Sequence, residues 1–82
     1  MDKIKDAVEI ARVRQMARTG RAKEIRTRAG LTIVDLAEAL DVSTTTIFRW
    51  ERALCSPRAD AALRYGRLLT DLGKLAAEDV SA

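Results

Sequence analysis

Between positions 44 and 52 the chain carries Thr44, Thr45, Phe48, Arg49 and Arg52, three or four residues apart, so that in a helix they stand along one face. Their chemistry is that of recognition. A guanidinium presents a rigid fork of N–H donors that matches the paired O6 and N7 acceptors of guanine, or two phosphate oxygens. Threonine brings a hydroxyl and a methyl, suited to a phosphate, a thymine methyl or a base edge. Catalysis is poorly provided for: there is no histidine, Cys55 is the only cysteine, and the carboxylates are scattered singly, with no glycine-rich phosphate loop. The same inventory leaves no ligand set for the usual zinc clusters and calls for no cofactor or small-molecule substrate.

The elements that must position this face lie within LTIVDLAEALDVSTTTIFRWERA, residues 31–53. Two short helical patterns flank a turn of about three residues, which is the pattern of a helix-turn-helix. Leu36, Ala37, Leu40, Val42, Ile47 and Trp50 supply the apolar contacts that hold the two helices at a steep angle. Thr32 is a good N-cap, and Asp35 three residues later favours the positive end of the helix dipole, which predicts a helix from Ile33 to Leu40. Asp41 occupies the turn, where a left-handed residue is expected, and Ser43 caps the second helix. The β-branched run Thr44-Thr45-Thr46 weakens that helix locally, a choice that marks function more often than stability.

Around this unit the chain reads as helix throughout. Residues 3–18 form a helical pattern with two apolar seams, Ile4, Ala7, Val8 and Ala11 on one side and Ile10, Val13 and Ala17 on the other. Two seams suggest two neighbours, the domain body and a partner subunit, against the alternative of a loosely docked helix. Thr19-Gly20 stops it, residues 21–29 make a second helix with Ala22, Ile25 and Ala29 on one face, and Gly30 closes that. Pro57 suits the first turn of a last helix starting near Arg58. Ala61, Tyr65, Leu68, Leu69, Leu72, Leu75 and Ala76 share one arc of that helix, with Gly66 and Gly73 off it. Residues 79–82 are expected to be a disordered tail. The expected organisation is thus an N-terminal extra helix (1–20), a helix-turn-helix domain (21–78, with the motif itself at 32–52) and the tail.

With 82 residues there is room for one domain and one modest core. The net charge of +3 is unevenly spread: Arg12, Arg14, Arg18, Arg21, Lys23, Arg26 and Arg28 face the single acid Glu24 between positions 12 and 28. A polyanion partner is a fair inference, against the plainer reading of a solvated helical surface. The opening MDKIKDAVEI has no signal-peptide core, and no stretch approaches the roughly 20 apolar residues needed to span a bilayer, so a cytoplasmic, nucleoid-associated protein without a membrane partner is expected.

From Ala22 to about Leu72 the chain resembles the Cro/repressor-type, or XRE, helix-turn-helix family. The resemblance is carried by Ile25-Arg26, Gly30-Leu31-Thr32, Asp35-Leu36-Ala37, Leu40, Val42-Ser43, Thr46-Ile47, Arg49-Trp50-Glu51-Arg52 and Pro57. It implies an all-α, lambda-repressor-like bundle of about five helices, with the recognition helix (43–52) in the major groove of double-stranded DNA. Position by position it assigns base contacts to Thr44, Thr45 and Arg49, and it places Thr46 close to phosphate or base. Phe48 either lies against thymine methyls or sugars or tucks against the N-terminal helix. Phosphate contacts fall to Thr32, Ser43, Thr46, Arg52 and Arg58, with Arg21 and Lys23 from the basic segment. Arg26 and Glu51 are implied to form an internal ion pair, and Trp50 to be core.

Three departures weaken the family's phosphate grip. Ile33 stands where the family commonly has Gln, Ala53 replaces the usual Gly, and Leu54-Cys55 replaces a basic loop; Arg52 and Arg58 are expected to supply part of the lost grip and the Arg12 to Arg28 cluster the rest. The reading that follows is a phage or bacterial transcriptional regulator that recognises an operator, with a homodimer through the N- or C-terminal helix as the alternative to a monomer. Two others compete with it. An excisionase-like architectural protein would need a β-wing after the recognition helix, and an antitoxin-type interaction module would use the N-terminal helix to hold another protein.

Overall fold

A computed structural model describes residues 2–81, with the side chains of 77–81 not described. The last helix runs through Ser81 and so covers positions 79–81 of the expected tail, while Ala82 lies outside the described residues. The described residues form five helices: α1 (Lys3–Thr19), α2 (Arg21–Arg28), α3 (Ile33–Leu40), α4 (Thr44–Glu51) and α5 (Ala59–Ser81). No strand occurs among the described residues, and no described helix is long and apolar enough to cross a membrane.

Local chemistry accounts for most of the boundaries. The Asp2 carboxylate caps α1 by accepting from the backbone N–H groups of Ile4 and Lys5. Gly20 ends α1 at φ 87°, a left-handed conformation that costs glycine little, and the next helix starts immediately. This single residue turns the chain between the two helices, at the stop that the sequence places there.

The core is one cluster to which every helix contributes. Val13 and Ala17 of α1, Ala22 of α2, Leu36 and Leu40 of α3, and Ile47 and Trp50 of α4 pack around Ala62, Tyr65 and Leu69 of α5. Trp50 stacks on Tyr65 with ring centroids 5.3 Å apart and planes inclined by 27°, an arrangement worth about 0.5–1.5 kcal/mol beyond area burial. The two seams of α1 divide cleanly. Val13 and Ala17 are buried with Ile10 packed beside them, whereas Ile4, Ala7, Val8 and Ala11 face outward.

Two expectations are corrected. Pro57 does not open the last helix. It is fully buried two residues before α5, and its carbonyl accepts from Arg14 Nε at 3.0 Å, so its rigid ring fills the core edge while its oxygen anchors α1. Gly66 does not lie off the buried arc. It sits under α1, where an added Cβ would run into the Glu9 carboxylate and lie 2.7 Å from Val13 Cγ2. A periodicity count treats glycine as neutral, and close approach of two helices is the reason to have it there. Conversely, Leu75 and Ala76 belong to the arc but are exposed, because the core does not extend that far along α5.

The two glycines of α5 should therefore respond oppositely to alanine. Gly66→Ala gains helix propensity but overpacks against Val13, and a net loss of about 1–2 kcal/mol is expected. Gly73→Ala, with open space around it, should gain up to about 1 kcal/mol. Denaturant unfolding of the two variants beside the parent protein checks both signs.

Candidate nucleic-acid interface

The exposed face of α4 is held by devices at both ends. Upstream, Thr32 and Asp35 form a capping box on α3: Asp35 N–H donates to Thr32 Oγ1 at 3.0 Å, and Thr32 N–H donates to Asp35 Oδ2 at 2.9 Å. Hydrogen bonds from the Thr32 backbone and hydroxyl hold the Asp35 carboxyl below its usual pKa of 3.8. Asp41 takes the left-handed turn at φ 56°, ψ 48°, and Val42 N–H reaches back to Ala37 O at 3.0 Å, which closes α3. Ser43 then caps α4, its hydroxyl accepting from Thr46 N–H at 3.1 Å.

That cap also engages Thr46, whose hydroxyl lies 2.8 Å from Ser43 Oγ. The two hydroxyls expected near phosphate are thus partly committed to each other. What the helix start still offers is the pair of N–H groups at Thr44 and Thr45, which by helix geometry have no intrahelical acceptor.

Along the outer face Thr44, Thr45, Phe48, Arg49 and Arg52 are all exposed, as their spacing requires. The contact of Phe48 is with its own helix: the Arg52 guanidinium carbon stands 4.7 Å from the Phe48 ring centroid. Arg52 is exposed beside that ring. The Arg49 side chain enters no ion pair or hydrogen bond among the described residues.

The inner face of α4 is anchored by the Arg26–Glu51 pair. Arg26 Nε and Nη2 donate to the two Glu51 carboxylate oxygens at 2.6 and 2.9 Å, and Arg26 Nη1 donates to Leu31 O at 2.9 Å. The side chains are only 8% and 4% exposed. One guanidinium therefore ties α2, the segment before α3 and the end of α4 together, and the carboxylate pushes the Arg26 pKa further up. Beside it Tyr65 is fully buried with its hydroxyl unpartnered among the described residues, and burial, with the nearby Glu51 charge, pushes its pKa up.

The basic run between positions 12 and 28 is not one patch. Arg26 is buried, Arg12 pairs with Glu9 at 2.7 Å and reaches Thr70 Oγ1 at 3.2 Å, and Arg14 is bound to Pro57 O. Arg21 pairs with Glu24 at 2.6 Å, an exposed pair worth little and easily exchanged. Lys23 and Arg58 are exposed, and neither they nor Arg21 hydrogen-bond or ion-pair with α4 among the described residues. The run breaks up because helical period and the turn at Gly20 aim neighbouring residues in different directions.

The structure also brings together residues that sequence reasoning kept apart. A groove of about 250 Å³ is lined by Arg14 and Arg18 of α1, by Trp50, and by Ala53, Leu54, Cys55 and Ser56 of the loop after α4. Arg18 is exposed there, next to the loop that lacks the usual basic residues. The sequence offers the whole Arg12 to Arg28 cluster as the replacement for that loop, and only the fold singles out Arg18 as the member beside it. Ala53 holds φ 59°, the left-handed conformation for which Gly is the usual residue, at a strain of about 1–2 kcal/mol. Ile33 packs against the core, an apolar side chain where the family's Gln would hold phosphate.

A family model described as Helix-turn-helix matches residues 23–69, more than half of the chain. The chain belongs to the Cro/repressor-type (XRE) helix-turn-helix family. No curated protein and no solved structure matches significantly. Membership makes this a DNA-binding helix-turn-helix protein with double-stranded DNA as its partner, in a family that is not typically enzymatic.

For this helix-turn-helix protein, loss of the buried pair should be costly. Glu51→Ala leaves Arg26 buried and uncompensated, and about 3–5 kcal/mol of stability should go, whereas the apolar double replacement Arg26→Met with Glu51→Leu should recover most of it. Thermal unfolding followed by circular dichroism separates the two. The capping box has a pH signature. Because the folded-state pKa of Asp35 is depressed, its contribution is present above 3.8 and is lost as the pH falls below that value. Asp35→Ala should be less stable than the parent at neutral pH and indistinguishable from it in strong acid.

Proposed function

We propose that this protein is a sequence-specific transcriptional regulator of the phage or bacterial Cro/repressor kind, cytoplasmic and nucleoid-associated, which acts by occupying an operator with α4 in the major groove. The observation that carries the reading is an exposed α4 face bearing Arg49 without an intrachain partner among the described residues, on a helix whose cap and buried pair hold it in place. Arg49 bridges O6 and N7 of a guanine, and Thr44 and Thr45 meet adjacent base edges. Phe48 lies against a thymine methyl or sugar while steering Arg52 to a phosphate. Thr32, Ser43, Thr46, Arg58, Arg21 and Lys23 supply further phosphate contacts. Arg18 joins them beside the loop at 53–56, in place of the basic residues that the loop lacks.

Specificity then rests on few base contacts, each worth about 1–3 kcal/mol, and affinity falls with salt as phosphate counterions are released. A dimer on a near-palindromic site would form through the exposed end of α5, where Leu75 is uncovered. The architectural, excisionase-like alternative is disfavoured because a helix, and no β-wing, follows α4 among the described residues.

Selection from random duplexes tests this. A defined consensus is expected, with half-site symmetry if a dimer binds, and no preference for any duplex would overturn the reading. Arg49→Ala should relax the consensus at one base pair, and a uniform loss across sequences would reassign it to phosphate. Arg18→Ala should weaken all sequences alike and lower the salt slope by about 1.

A further inference from the structure

The outward seam of α1 is not accounted for by DNA binding. Ile4 is 78% exposed and Val8 63%, with Ala7 and Ala11 exposed between and beyond them, so four apolar residues at helical spacing are left outside the core. A helix turn of 3.6 residues sorts the charges of α1 around this seam. Lys3, Lys5, Arg12, Arg14 and Arg18 fall within it or along its two edges, and the acids Asp6 and Glu9 fall on the opposite side, towards the body of the domain. Arg12 and Arg14 are partly spent on Glu9 and Pro57, whereas Lys3 and Lys5 are exposed at the rim of the seam.

We propose that this face docks an acidic amphipathic helix of another protein, one with an apolar seam flanked by Asp or Glu. Charge complementarity chooses the occupant. A second copy of α1 would bring a cationic rim against a cationic rim in either orientation, which costs free energy instead of gaining it. A lipid surface rewards large side chains such as Trp, Phe and Leu, and this seam has two alanines among its four residues. Small residues let a second helix come close, and Ile4 and Val8 then supply the apolar knobs. The N-terminal half of α1 thereby couples a DNA-bound domain to a partner without touching α4.

The test uses the full chain and a displayed library of helical peptides with a fixed Leu/Ala seam, whose flanking positions vary among Glu, Gln and Lys. Enrichment of Glu flanks is expected. The enriched peptide should lose at least tenfold in affinity against Val8→Asp and severalfold against Lys5→Glu, while both variants keep the parent's helix content and duplex binding. No enrichment, or binding indifferent to Val8, overturns the proposal. Dimerisation that Val8→Asp abolishes would assign the seam to a second copy, and Val8-dependent binding to phosphatidylserine vesicles would assign it to lipid; either result also overturns it. Duplex binding is read separately, so failure here is distinct from failure of the operator reading.

Discussion

The placement of α4 depends on the fork between Arg26 and Glu51. Arg26 begins in α2, meets the Leu31 carbonyl on the way, and ends on both oxygens of a carboxylate at the last residue of α4. A buried pair of this kind is a poor source of net stability, since desolvation offsets most of its attraction. Its value is geometric. Two parallel bonds to a planar fork admit one orientation of α4 about its axis, and that orientation decides which side chains face out. With Ile47 and Trp50 filling the inner side, Thr44, Thr45, Phe48, Arg49 and Arg52 are left as the outer surface.

The helix that supports this arrangement from behind is α1, and it is more than an appendage. Val13 and Ala17 belong to the single core, Gly66 is kept bare of a side chain so that α5 can approach it, and Arg14 pins it to Pro57. Its C-terminal end brings Arg18 to the loop after α4. Its N-terminal end presents a separate apolar face with a cationic rim. A domain of this size gains from putting an extra helix into the core, because apolar area buried per residue is what small domains lack.

The strain at Ala53 and the local pairing of Ser43 with Thr46 both come from short loops. A left-handed non-glycine residue survives there because the surrounding bonds, including Leu54 N–H to Arg49 O at 2.9 Å, leave the chain no other course. Ser43 and Thr46 satisfy each other at the start of α4, so the backbone N–H groups of that turn, more than the hydroxyls, remain open to an anion.

Much of this architecture is legible in the amino-acid sequence. The limits of α3, the Thr32 and Ser43 caps, the left-handed Asp41 and the stop at Gly20 follow from it, because each is decided by atoms within about four residues along the chain. The family and the Arg26–Glu51 partnership are readable as a resemblance, through many residues in register. What only the tertiary structure decided involves residues far apart in the chain. It chose which seam of α1 is core, put Gly66 inside the packing, moved Pro57 from helix start to buried anchor, dispersed the basic run and set Arg18 beside the loop at 53–56. Helical periodicity states which residues share a face. Which face is covered depends on where the other helices lie, and that is settled by packing one core.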